Sequence, residues 1–382
     1  MSDRNPIRLG MVGGGKGAFI GEVHRAAIKL DGKYILCAGA LSSDPKKSIA
    51  SGKELGLDKD RIYETFEEMI QKESRRDDSI EAVSIVTPNN THFPIAKCCL
   101  DAGFHVICDK PFTLTSIEAD QLIETARKQN LVIAVTYNYS GYPMVRQAKA
   151  MIRDGEIGRI RVIQTEFAQC WLSEPIERNG HKQALWRTDP EISGIAGCVG
   201  DIGTHAYHLI CFTSGLTLKS LCADVSTFVE GRKLDDNANI LLRFDGNATG
   251  MIWTSQVAIG NNNGLKLRIL GDKGSIEWNQ ENSNELFFSP LNKPSQKITK
   301  GSPNAKIEAS SISRLPPGHP EGYLEAFANL YTEIADSIMY ARVGRLSNTH
   351  NSVPSGDDGR QGAIFVESVI RSSSSGSIWV DL

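Results

Sequence analysis

The sequence predicts two domains, an α/β domain built on a doubly wound parallel sheet and an α+β domain built on a large, open, mostly antiparallel sheet. Up to about residue 140, apolar strand-like runs alternate with helical segments at βαβ spacing. Beyond that point, strand-like runs follow one another with turn signals such as Asp245-Gly246 between them. The length of 382 residues also suits two domains. We expect domains at residues 1–140 and 141–382, with the C-terminal helix and strand available to pack back on the first domain.

The composition excludes several classes of partner. Hydrophobic residues make up 40% of the chain, and the formal net charge is −3. Since no long basic run offsets this balance, we expect no nucleic-acid or membrane partner. No apolar run approaches the length of about 18 residues that a membrane span needs. The eight cysteines are scattered through apolar runs, which is typical of buried thiols in a reducing compartment, so we expect a cytoplasmic protein.

The first strand and the glycine-rich turn after it predict a dinucleotide site. Residues 7–12 are a short apolar run, residues 13–21 read Gly-Gly-Gly-Lys-Gly-Ala-Phe-Ile-Gly, and residues 22–30 have helical spacing. Strand, glycine turn and helix in this order are the context of a Rossmann fingerprint, in which N–H groups at the helix start bind a pyrophosphate. A plain glycine-rich loop is the alternative, and Gly21 is equally suited to packing the helix on the strand. The predicted contacts of this turn are Gly13, Gly15, Lys16, Gly17, Ala18, Phe19 and Ile20.

The remaining strands of the first half also end in polar segments. We predict strands at residues 34–41, 82–86, 104–108 and 131–135, a helix at 66–72, a helix that Asn90 or Thr91 caps and that runs to Ala102, and a helix at 116–129 with a Thr115 or Ser116 cap. Ligands of doubly wound sheets bind beyond the carboxyl ends of the strands. An ordinary strand–turn–helix is the alternative for residues 87–92. The further predicted cofactor contacts are Ser42, Ser43, Asp44, Thr87, Pro88, Asn89, His92, Asp109, Lys110 and Asn138.

The end of the second strand bears on which nicotinamide dinucleotide is used. An acidic residue at this strand tip commonly binds the adenosine ribose of NAD. Here Ser42 occupies the tip, and Asp44 follows two residues later, before Lys46 and Lys47. Serine with nearby lysines suits the 2′-phosphate of NADP, whereas Asp44 suits a free ribose. The sequence leaves both cofactors open, with a slight preference for NAD.

The second half predicts a sheet with one uncovered face. We predict a helix at residues 144–154, strands at 159–168, 219–229, 238–244, 250–256, 266–270 and 274–278, a loop at 289–320, a helix at 324–341 and a closing strand at 377–380. These strands outnumber the helices available to cover both faces of the sheet. An uncovered antiparallel face is expected to pack on another subunit, so we predict a homodimer or homotetramer.

Three residues have the chemistry needed to move a proton on and off a hydroxyl. Lys110 follows an apolar run that ends at Cys108, and Asp201 and His205 are spaced four apart, as on one face of a helix. Taken separately, Asp201 can be a helix cap and His205 a structural histidine. Asp201 and His205 with His208 also resemble part of a metal site, but no further ligand is evident, so we predict no metal.

Aromatic and basic residues flank this set. Trp171 and Trp186 are predicted to stack on a sugar ring, and Arg187 to reach the cofactor or substrate. Tyr137 follows the fifth strand and is predicted to contact substrate. The segment Gly318-His-Pro-Glu-Gly322 is interpreted as a surface turn, with closure over the site as the alternative. The predicted substrate contacts are Lys110, Tyr137, Trp171, Asp201 and His205; Trp186 and Arg187 are assigned to the cofactor.

These motifs resemble the Gfo/Idh/MocA oxidoreductase family over nearly the whole chain. The resemblance depends on the glycine turn, Thr87-Pro-Asn-Asn-Thr-His92, Asp109-Lys-Pro111 and Asp201-x-x-x-His205. It implies a Rossmann domain with an open-sheet domain that makes dimers or tetramers, and catalytic roles for Lys110, Asp201 and His205. Two departures are Asp109, where the family usually has glutamate, and a glycine turn about three residues longer than usual.

The resemblance implies an NAD(P)-dependent dehydrogenase that acts on a sugar, inositol or related polyol. In this chemistry, His205 takes the hydroxyl proton, Lys110 stabilises alkoxide character, and Asp201 orients His205 or binds a neighbouring hydroxyl. Two alternatives are a redox-assisted, NAD-dependent glycoside cleavage and a non-catalytic regulator that senses a dinucleotide. The expected cofactor is NAD, with NADP possible.

Overall fold

A computed structural model describes residues 5–344 and 352–382. It divides into two compact units, one of Met1–Asn138 with Phe327–Arg360 and one of Tyr139–Ala326 with Gln361–Leu382. The first unit begins with strands separated by one helix each, except that two helices lie between β2 and β3: β1 (Ile7–Gly13), α1 (Phe19–Leu30), β2 (Tyr34–Ala40), α2 (Pro45–Glu54), α3 (Phe66–Glu73), β3 (Ala82–Val86), α4 (His92–Asp101), β4 (His105–Cys108), α5 (Ser116–Gln129) and β5 (Ile133–Val135).

The first unit contains the predicted parallel sheet. Its five strands pair in the order β2-β1-β3-β4-β5, and every pair is parallel. All five residues of the central strand β3 are buried, as expected for a strand that is covered on both faces. The doubly wound α/β fold is therefore confirmed.

Local sequence signals explain where the helices of this unit begin. α5 starts with a full capping box, in which the Thr115 side chain accepts from Glu118 N–H and the Glu118 side chain accepts from Thr115 N–H. The helix after the glycine turn starts at Phe19, three residues before the predicted start. α2 was not predicted, although Asp44 at its N-cap and Pro45 at its first position are strong start signals.

The second unit contains the predicted open sheet. Its strands are β6 (Ile160–Ala168), β7 (Leu218–Ser226), β8 (Asn237–Phe244), β9 (Thr249–Ser255), β10 (Gly264–Gly271), β11 (Gly274–Asn279), β12 (Glu285–Pro290), β13 (Gln296–Thr299) and β14 (Val380–Asp381). They pair in the order β13-β12-β11-β10-β6-β9-β8-β7-β14. The described pairs are antiparallel except for β6 with β9. The mostly antiparallel sheet is confirmed.

The helices of the second half vary in length from 4 to 20 residues. They are α6 (Pro143–Arg153), α7 (Lys182–Arg187), α8 (Pro190–Ser193), α9 (Thr204–Ser214), α10 (Ile307–Ser310), α11 (Tyr323–Arg342) and α12 (Gly356–Ser374). By residue number, α11 begins in the second unit and continues in the first, and α12 begins in the first and continues in the second. The functional division at residue 140 stays a prediction.

Two expectations for the last third of the chain were wrong. The segment 289–320, predicted as a loop, contains the end of β12, all of β13 and α10. Lys300, in this segment, forms a buried ion pair at 2.7 Å with Glu321, which directly follows the segment. Glu321 also accepts hydrogen bonds from the N–H groups of Arg314 and Leu315. The glutamate of the Gly318–Gly322 segment therefore organises this region. The closing strand also lies at Val380–Asp381, later than predicted, where it pairs with β7.

All eight cysteines are free thiols. Burial raises the pKa of Cys99, Cys108 and Cys198 well above the ordinary thiol value. Within the described parts of the chain, no helix is both long and apolar enough to cross a membrane.

Candidate active site

Close backbone contacts shape the glycine turn of the first unit. Gly13 and Gly14 have φ of 79° and 72°, a region that side chains rarely adopt. A Cβ on Gly21 would lie 2.4 Å from Gly14 Cα, so the first turn of α1 touches the glycine turn directly. A Cβ on Gly15 would lie 2.6 Å from Leu41 O. Gly21 is therefore the glycine that packs the helix, and the turn proper runs from 14 to 18.

The beginning of α1 fits a pyrophosphate. Ala18 at the N-cap has no side chain to cap the first N–H groups of the helix. Space within 4 Å of a Cβ on Gly17 is open, and Arg25 Nη1 donates to Gly14 O, which ties the turn to the helix. Uncapped N–H groups that follow a glycine turn, in which Gly14 and Gly15 have no room for a side chain, are features that suit a phosphate group. Lys16 and Phe19 were also predicted to contact the cofactor here. The Lys16 side chain is 77% exposed, and Phe19 as a whole residue is 65% exposed.

Asp44 starts a helix and is still able to bind a ribose. Its Oδ1 accepts from the N–H groups of Lys46 and Lys47 at 2.9 and 3.2 Å. The Asp44 N–H donates to Ser42 Oγ at 3.1 Å, which fixes the strand tip. Because both capping bonds use one oxygen, Oδ2 retains its capacity to accept a hydrogen bond from a hydroxyl. Ser43 is exposed beside it.

His92 connects two of the strand-end loops. Its Nδ1 lies 2.7 Å from Pro111 O, its Nε2 lies 2.9 Å from Thr87 O, and the residue is 1% exposed. Burial is the largest influence on its pKa and lowers it, although Asp109 and the two carbonyls oppose this. His92 therefore holds the loops of Thr87 and Pro111 together, and its contact with a cofactor stays a prediction.

The predicted cap of α4 was wrong. Thr91 stands at the N-cap, but its hydroxyl bonds to Thr87 Oγ1 and Pro88 O, both at 2.7 Å, and makes no capping bond to the helix. Asn89 begins a 3₁₀ turn that precedes α4 and is 5% exposed. The Thr87–His92 loop is therefore fixed by its own side chains.

Asp109 fixes the backbone that carries Lys110. Its Oδ1 accepts from Lys110 N–H at 3.0 Å and from Thr136 Oγ1 at 2.8 Å, and its own N–H donates to Ile85 O at 3.0 Å. The Lys110–Pro111 peptide is cis. Asp109, in the place of the glutamate that the resemblance leads one to expect, thus binds the ends of β4 and β5 together.

Tyr137 and Asn138 differ in what they offer a ligand. Tyr137 is 1% exposed within the apolar core of the first unit, so the structure gives it a packing role, and its predicted substrate contact stays a prediction. The amide nitrogen of Asn138 is buried and meets no acceptor within the part of the chain that the structure describes. Buried donors without partners are rare in folded proteins, so Asn138 is suited to bind a ligand.

In the second unit, Asp201 is held by two side-chain donors. Its Oδ2 accepts from Gln256 Nε2 at 2.8 Å and from Arg187 Nε at 3.3 Å. The guanidinium carbon of Arg187 lies 4.0 Å from the centre of the Trp186 ring and 5.9 Å from that of Trp171. The structure therefore brings together four predicted residues and adds Gln256, which was not predicted. Its position directly after β9 is the signal that was available.

The expected alignment of Asp201 with His205 was too simple. Asp201 lies in a π-helical turn, Val199–Gly203, and His205 lies in the first turn of α9. A π-turn closes with i→i+5 bonds, so residues four apart do not stack as they do in an α-helix. Such turns are frequent at functional sites.

His205 is enclosed by aromatic rings. It is 7% exposed, its ring centre lies 4.9 Å from that of Tyr139 at nearly a right angle, and Phe167 lies 6.3 Å away. Asn263 Nδ2 donates to the Tyr139 hydroxyl at 3.3 Å. Burial raises the pKa of Tyr139 well above its ordinary value, so this hydroxyl is neutral. The His205 imidazole therefore packs against the Tyr139 ring, whose hydroxyl is uncharged and is oriented by Asn263.

A chain of polar side chains continues from Asn263. Gln169 Nε2 donates to Asn263 Oδ1 at 2.8 Å, and Trp171 Nε1 donates to Gln169 Oε1 at 3.0 Å. This network connects Trp171 with Tyr139, and sequence reasoning found only the tryptophan. Within residues 5–344 and 352–382, no three His, Cys, Asp or Glu side chains come together as a metal site. The absence of a metal stays a prediction.

The chain matches models of two consecutive domains. Residues 7–137 match a model described as an oxidoreductase family with an NAD-binding Rossmann fold, and residues 145–277 match one described as a GFO/IDH/MocA C-terminal domain. The predicted Rossmann domain and NAD as its nucleotide are confirmed.

Similar proteins match over the full length. An uncharacterized oxidoreductase, YfiI, of Bacillus subtilis is 36% identical over 380 residues, which are 98% of this chain and 97% of the relative. Levoglucosan dehydrogenase of Pseudarthrobacter phenanthrenivorans is 27% identical over 405 residues, 98% of each. An inositol dehydrogenase homolog of Azotobacter vinelandii has been solved with NAD+ (TM-score 0.95, 38% identity, 100% of both chains) and with NADH and myo-inositol (TM-score 0.93, 37% identity, 100% and 99%).

Proposed function

We propose that this chain, which belongs to the Gfo/Idh/MocA family of NAD-binding oxidoreductases, transfers a hydride between NAD and a secondary hydroxyl of a sugar, inositol or related polyol. The observation that carries the proposal is the environment of Asp201 and His205. A carboxylate held by Gln256 and Arg187 and a histidine enclosed by aromatic rings suit proton transfer from a neutral polyol. The solved relative with NADH and myo-inositol supports this substrate class.

Each catalytic residue is assigned one part of the chemistry. NAD, when bound, accepts the hydride from the carbon that carries the hydroxyl. His205 takes the hydroxyl proton, because an imidazole ordinarily titrates near neutral pH. Lys110 donates to the same oxygen and stabilises its negative charge as the proton leaves. Asp201 grips a neighbouring hydroxyl or orients His205, since its own position is fixed by two donors.

The cofactor and substrate contacts follow the same division. We assign the nucleotide to the strand ends of the 1–140 domain, with Asn138 as one donor, and the polyol to the 141–382 domain, where Trp171 is suited to stack on a sugar face. Trp186 with Arg187 remains assigned to the cofactor. We also propose a cytoplasmic location, because eight free thiols are typical of a reducing compartment.

A polyol panel tests the proposal directly. Purified protein is mixed with NAD and each polyol in turn, starting with myo-inositol and levoglucosan, and NADH is followed by its fluorescence. We expect NADH formation with at least one polyol and none with the corresponding deoxy compound that lacks the oxidised hydroxyl. Stoichiometric NAD binding with no NADH from any member of the panel contradicts the proposal and favours a dinucleotide-sensing regulator.

We further propose that the chain forms a homodimer or homotetramer through the open sheet. Along β8, buried residues alternate with exposed ones, and a row of outward side chains crosses the sheet. In this row Leu241, Met251 and Phe287 are 49%, 43% and 47% exposed, and Gln164, Arg268 and Glu277 stand between Met251 and Phe287. Large apolar side chains on a solvent face of a sheet are typical of an interface. Light scattering at micromolar concentration is expected to give a multiple of 41.8 kDa, and a monomer mass contradicts the proposal.

A further inference from the structure

Asp235 binds the backbone that leads into the π-turn of Asp201. It lies in the loop between β7 and β8, and its Oδ1 and Oδ2 accept from Gly197 N–H at 2.6 Å and Val199 N–H at 2.8 Å. Its carbonyl oxygen accepts from the N–H of Cys198, the residue between them, at 2.9 Å. Asp235 therefore accepts hydrogen bonds from the N–H groups of three consecutive residues, the last of which begins the turn.

The contact is close and buried. Asp235 is 7% exposed, and a Cβ on Gly197 would lie only 2.4 Å from Asp235 O. Any side chain at position 197 would therefore push the two segments apart. The close approach of Asp235 therefore explains why glycine stands at position 197.

The next residue supports the other side of Asp201. The carbonyl oxygen of Asp236 accepts from Gln256 N–H at 2.9 Å, and the Gln256 side chain donates to Asp201 Oδ2 at 2.8 Å. The Asp236 carboxylate itself accepts from Phe228 and Val229 N–H and pairs with Arg232 at 3.2 Å. The Asp235-Asp236 pair thus fixes both the helix that carries Asp201 and the amide that holds its carboxylate.

We infer that the Asp235 carboxylate is a positioning residue for hydride transfer, which holds the 197–205 segment so that Asp201 and His205 stand in their reactive geometry. The inference rests on the proposed function for the roles of Asp201 and His205. The Asp235 carboxylate accepts one N–H bond with each oxygen and so holds the segment at two points, as a clamp. An asparagine at this position would keep only one acceptor oxygen and would turn its NH₂ group toward the second N–H donor. Displacement of reacting groups by about 1 Å can cost a factor of about 10² in rate.

The clamp has a built-in pH dependence. Burial is the largest influence on Asp235 and raises its pKa to about 6, against the N–H bonds of Val199 and Gly197, which lower it. Asp236 raises it further, and Cys198 and Asp201 are the other ionisable groups that share this surrounding. Above pH 6 the carboxylate accepts both bonds. Below pH 6 it gains a proton, and because the raised pKa belongs to the closed segment, this protonation favours the closed segment over an opened one.

Asp235→Asn tests the clamp, with Asp245→Asn as the matched control. Asp245 also accepts a backbone N–H from a distant segment, that of Thr217 at 3.1 Å, but it lies at the turn between β8 and β9. At pH 8 we expect Asp235→Asn to speed amide hydrogen exchange in peptides covering residues 197–205 and to slow single-turnover hydride transfer from myo-inositol about 10- to 100-fold. The Kd for NAD should stay within about twofold, since the clamp is made within the substrate domain. Asp235→Glu should recover part of the rate, and Asp245→Asn should match the wild type.

Wild-type protein provides the same test without substitution, in case Asp235→Asn does not fold. After correction for intrinsic exchange, protection of residues 197–205 should rise between pH 7 and pH 5, because opening of the segment would return the raised pKa of Asp235 toward its ordinary value of about 4, while protection of β8 stays constant. Constant protection of the segment, or hydride transfer in folded Asp235→Asn as fast as in the wild type, overturns the inference. If wild-type protein oxidises no polyol, the proposed function fails, and the exchange data still decide whether Asp235 holds the segment.

Discussion

Asp201 and Arg187 form an ion pair in the second unit, to which the substrate is assigned. Arg187 rests on the Trp186 ring and donates to Asp201, while Gln256 donates to the same oxygen. The side chains of the ion pair are 24% and 14% exposed, so solvent screens the pair in part, and its 3.3 Å separation is long for a strong pair. Such a pair contributes less than about 1 kcal/mol to the free energy of unfolding. The arrangement is therefore better explained by orientation of the carboxylate than by stability.

Asp201→Asn separates these two roles. The amide keeps one oxygen for the Gln256 donor but loses the charge opposite Arg187. We expect the free energy of unfolding to change by less than about 1 kcal/mol, and single-turnover hydride transfer to fall about 10²-fold. Asp154→Asn, which removes a surface carboxylate paired with Arg153, is the control and should alter neither. A lower melting temperature with per-molecule turnover intact would instead identify Asp201 as structural.

At the scale of elements, helix starts and strand ends determine what the first unit can bind. α1 begins without a side-chain cap, whereas Asp44 caps α2 and Thr115 caps α5. The uncapped start faces a turn that excludes side chains, which suits a phosphate. The capped start of α2 leaves one carboxylate oxygen for a ribose. We therefore propose that the choice between NAD and NADP depends on this helix start.

Asp44→Ser tests that choice. Serine caps helices nearly as well as aspartate, so α2 should keep its start, but the negative charge that disfavours a 2′-phosphate is lost. For the wild type we expect only modest preference, with NAD slightly favoured. In Asp44→Ser the ratio of the Kd for NADP to that for NAD should fall about tenfold, which corresponds to about 1.4 kcal/mol. A wild-type preference for NADP beyond tenfold, or an unchanged ratio in the variant, contradicts this assignment.

Elements with a periodic or capping signal could be predicted from the sequence, and those fixed by distant contacts could not. α5 was predicted at its observed bounds because its capping box and period are local. The π-turn of Asp201 was missed, since no local pattern marks it and the carboxylate of Asp235 that contacts its start lies 36 and 38 residues away in sequence from the N–H groups it binds. Gln256 and Tyr139 were missed for the same reason, because a lone amide or phenol has no motif. Lys110, Asp201 and His205 were predicted through spacing that a resemblance made specific, and their catalytic roles stay predictions.

At the scale of the whole molecule, buried ionisable groups give the two units opposite responses to acid. Burial lowers the pKa of His24 and of His105 to about 4, and both belong to the first unit. Their stabilisation is fully present above pH 6.5 and is lost as the pH falls through about 4. Asp235, in the second unit, has its pKa raised to about 6. Its contribution to stability is present below about pH 4 and is lost as the pH rises through 6.

This difference can be measured, because all five tryptophans lie in the second unit. Urea unfolding followed by tryptophan fluorescence reports on the second unit, and far-UV circular dichroism reports on both. Between pH 6.5 and 4, protonation of His24 should lower the free energy of unfolding of the first unit by about 3 kcal/mol, because burial lowers the pKa of His24 from 6.5 to about 4. His24→Gln should flatten the decline of the circular dichroism midpoint and leave the fluorescence midpoint unchanged. An equally steep decline in His24→Gln excludes His24 as its source.

The central claim is that Lys110 and His205 act on one hydroxyl. The most direct test is to measure single-turnover hydride transfer and the Kd for NAD in Lys110→Ala and in His205→Ala. We expect each variant to lose about 10² to 10⁴ in rate with NAD binding nearly unchanged, and the double variant to lose less than the product of the two. Lys128→Ala, which removes a surface lysine paired with Glu124, is the control and should keep the wild-type rate. Full activity in folded Lys110→Ala would contradict the claim.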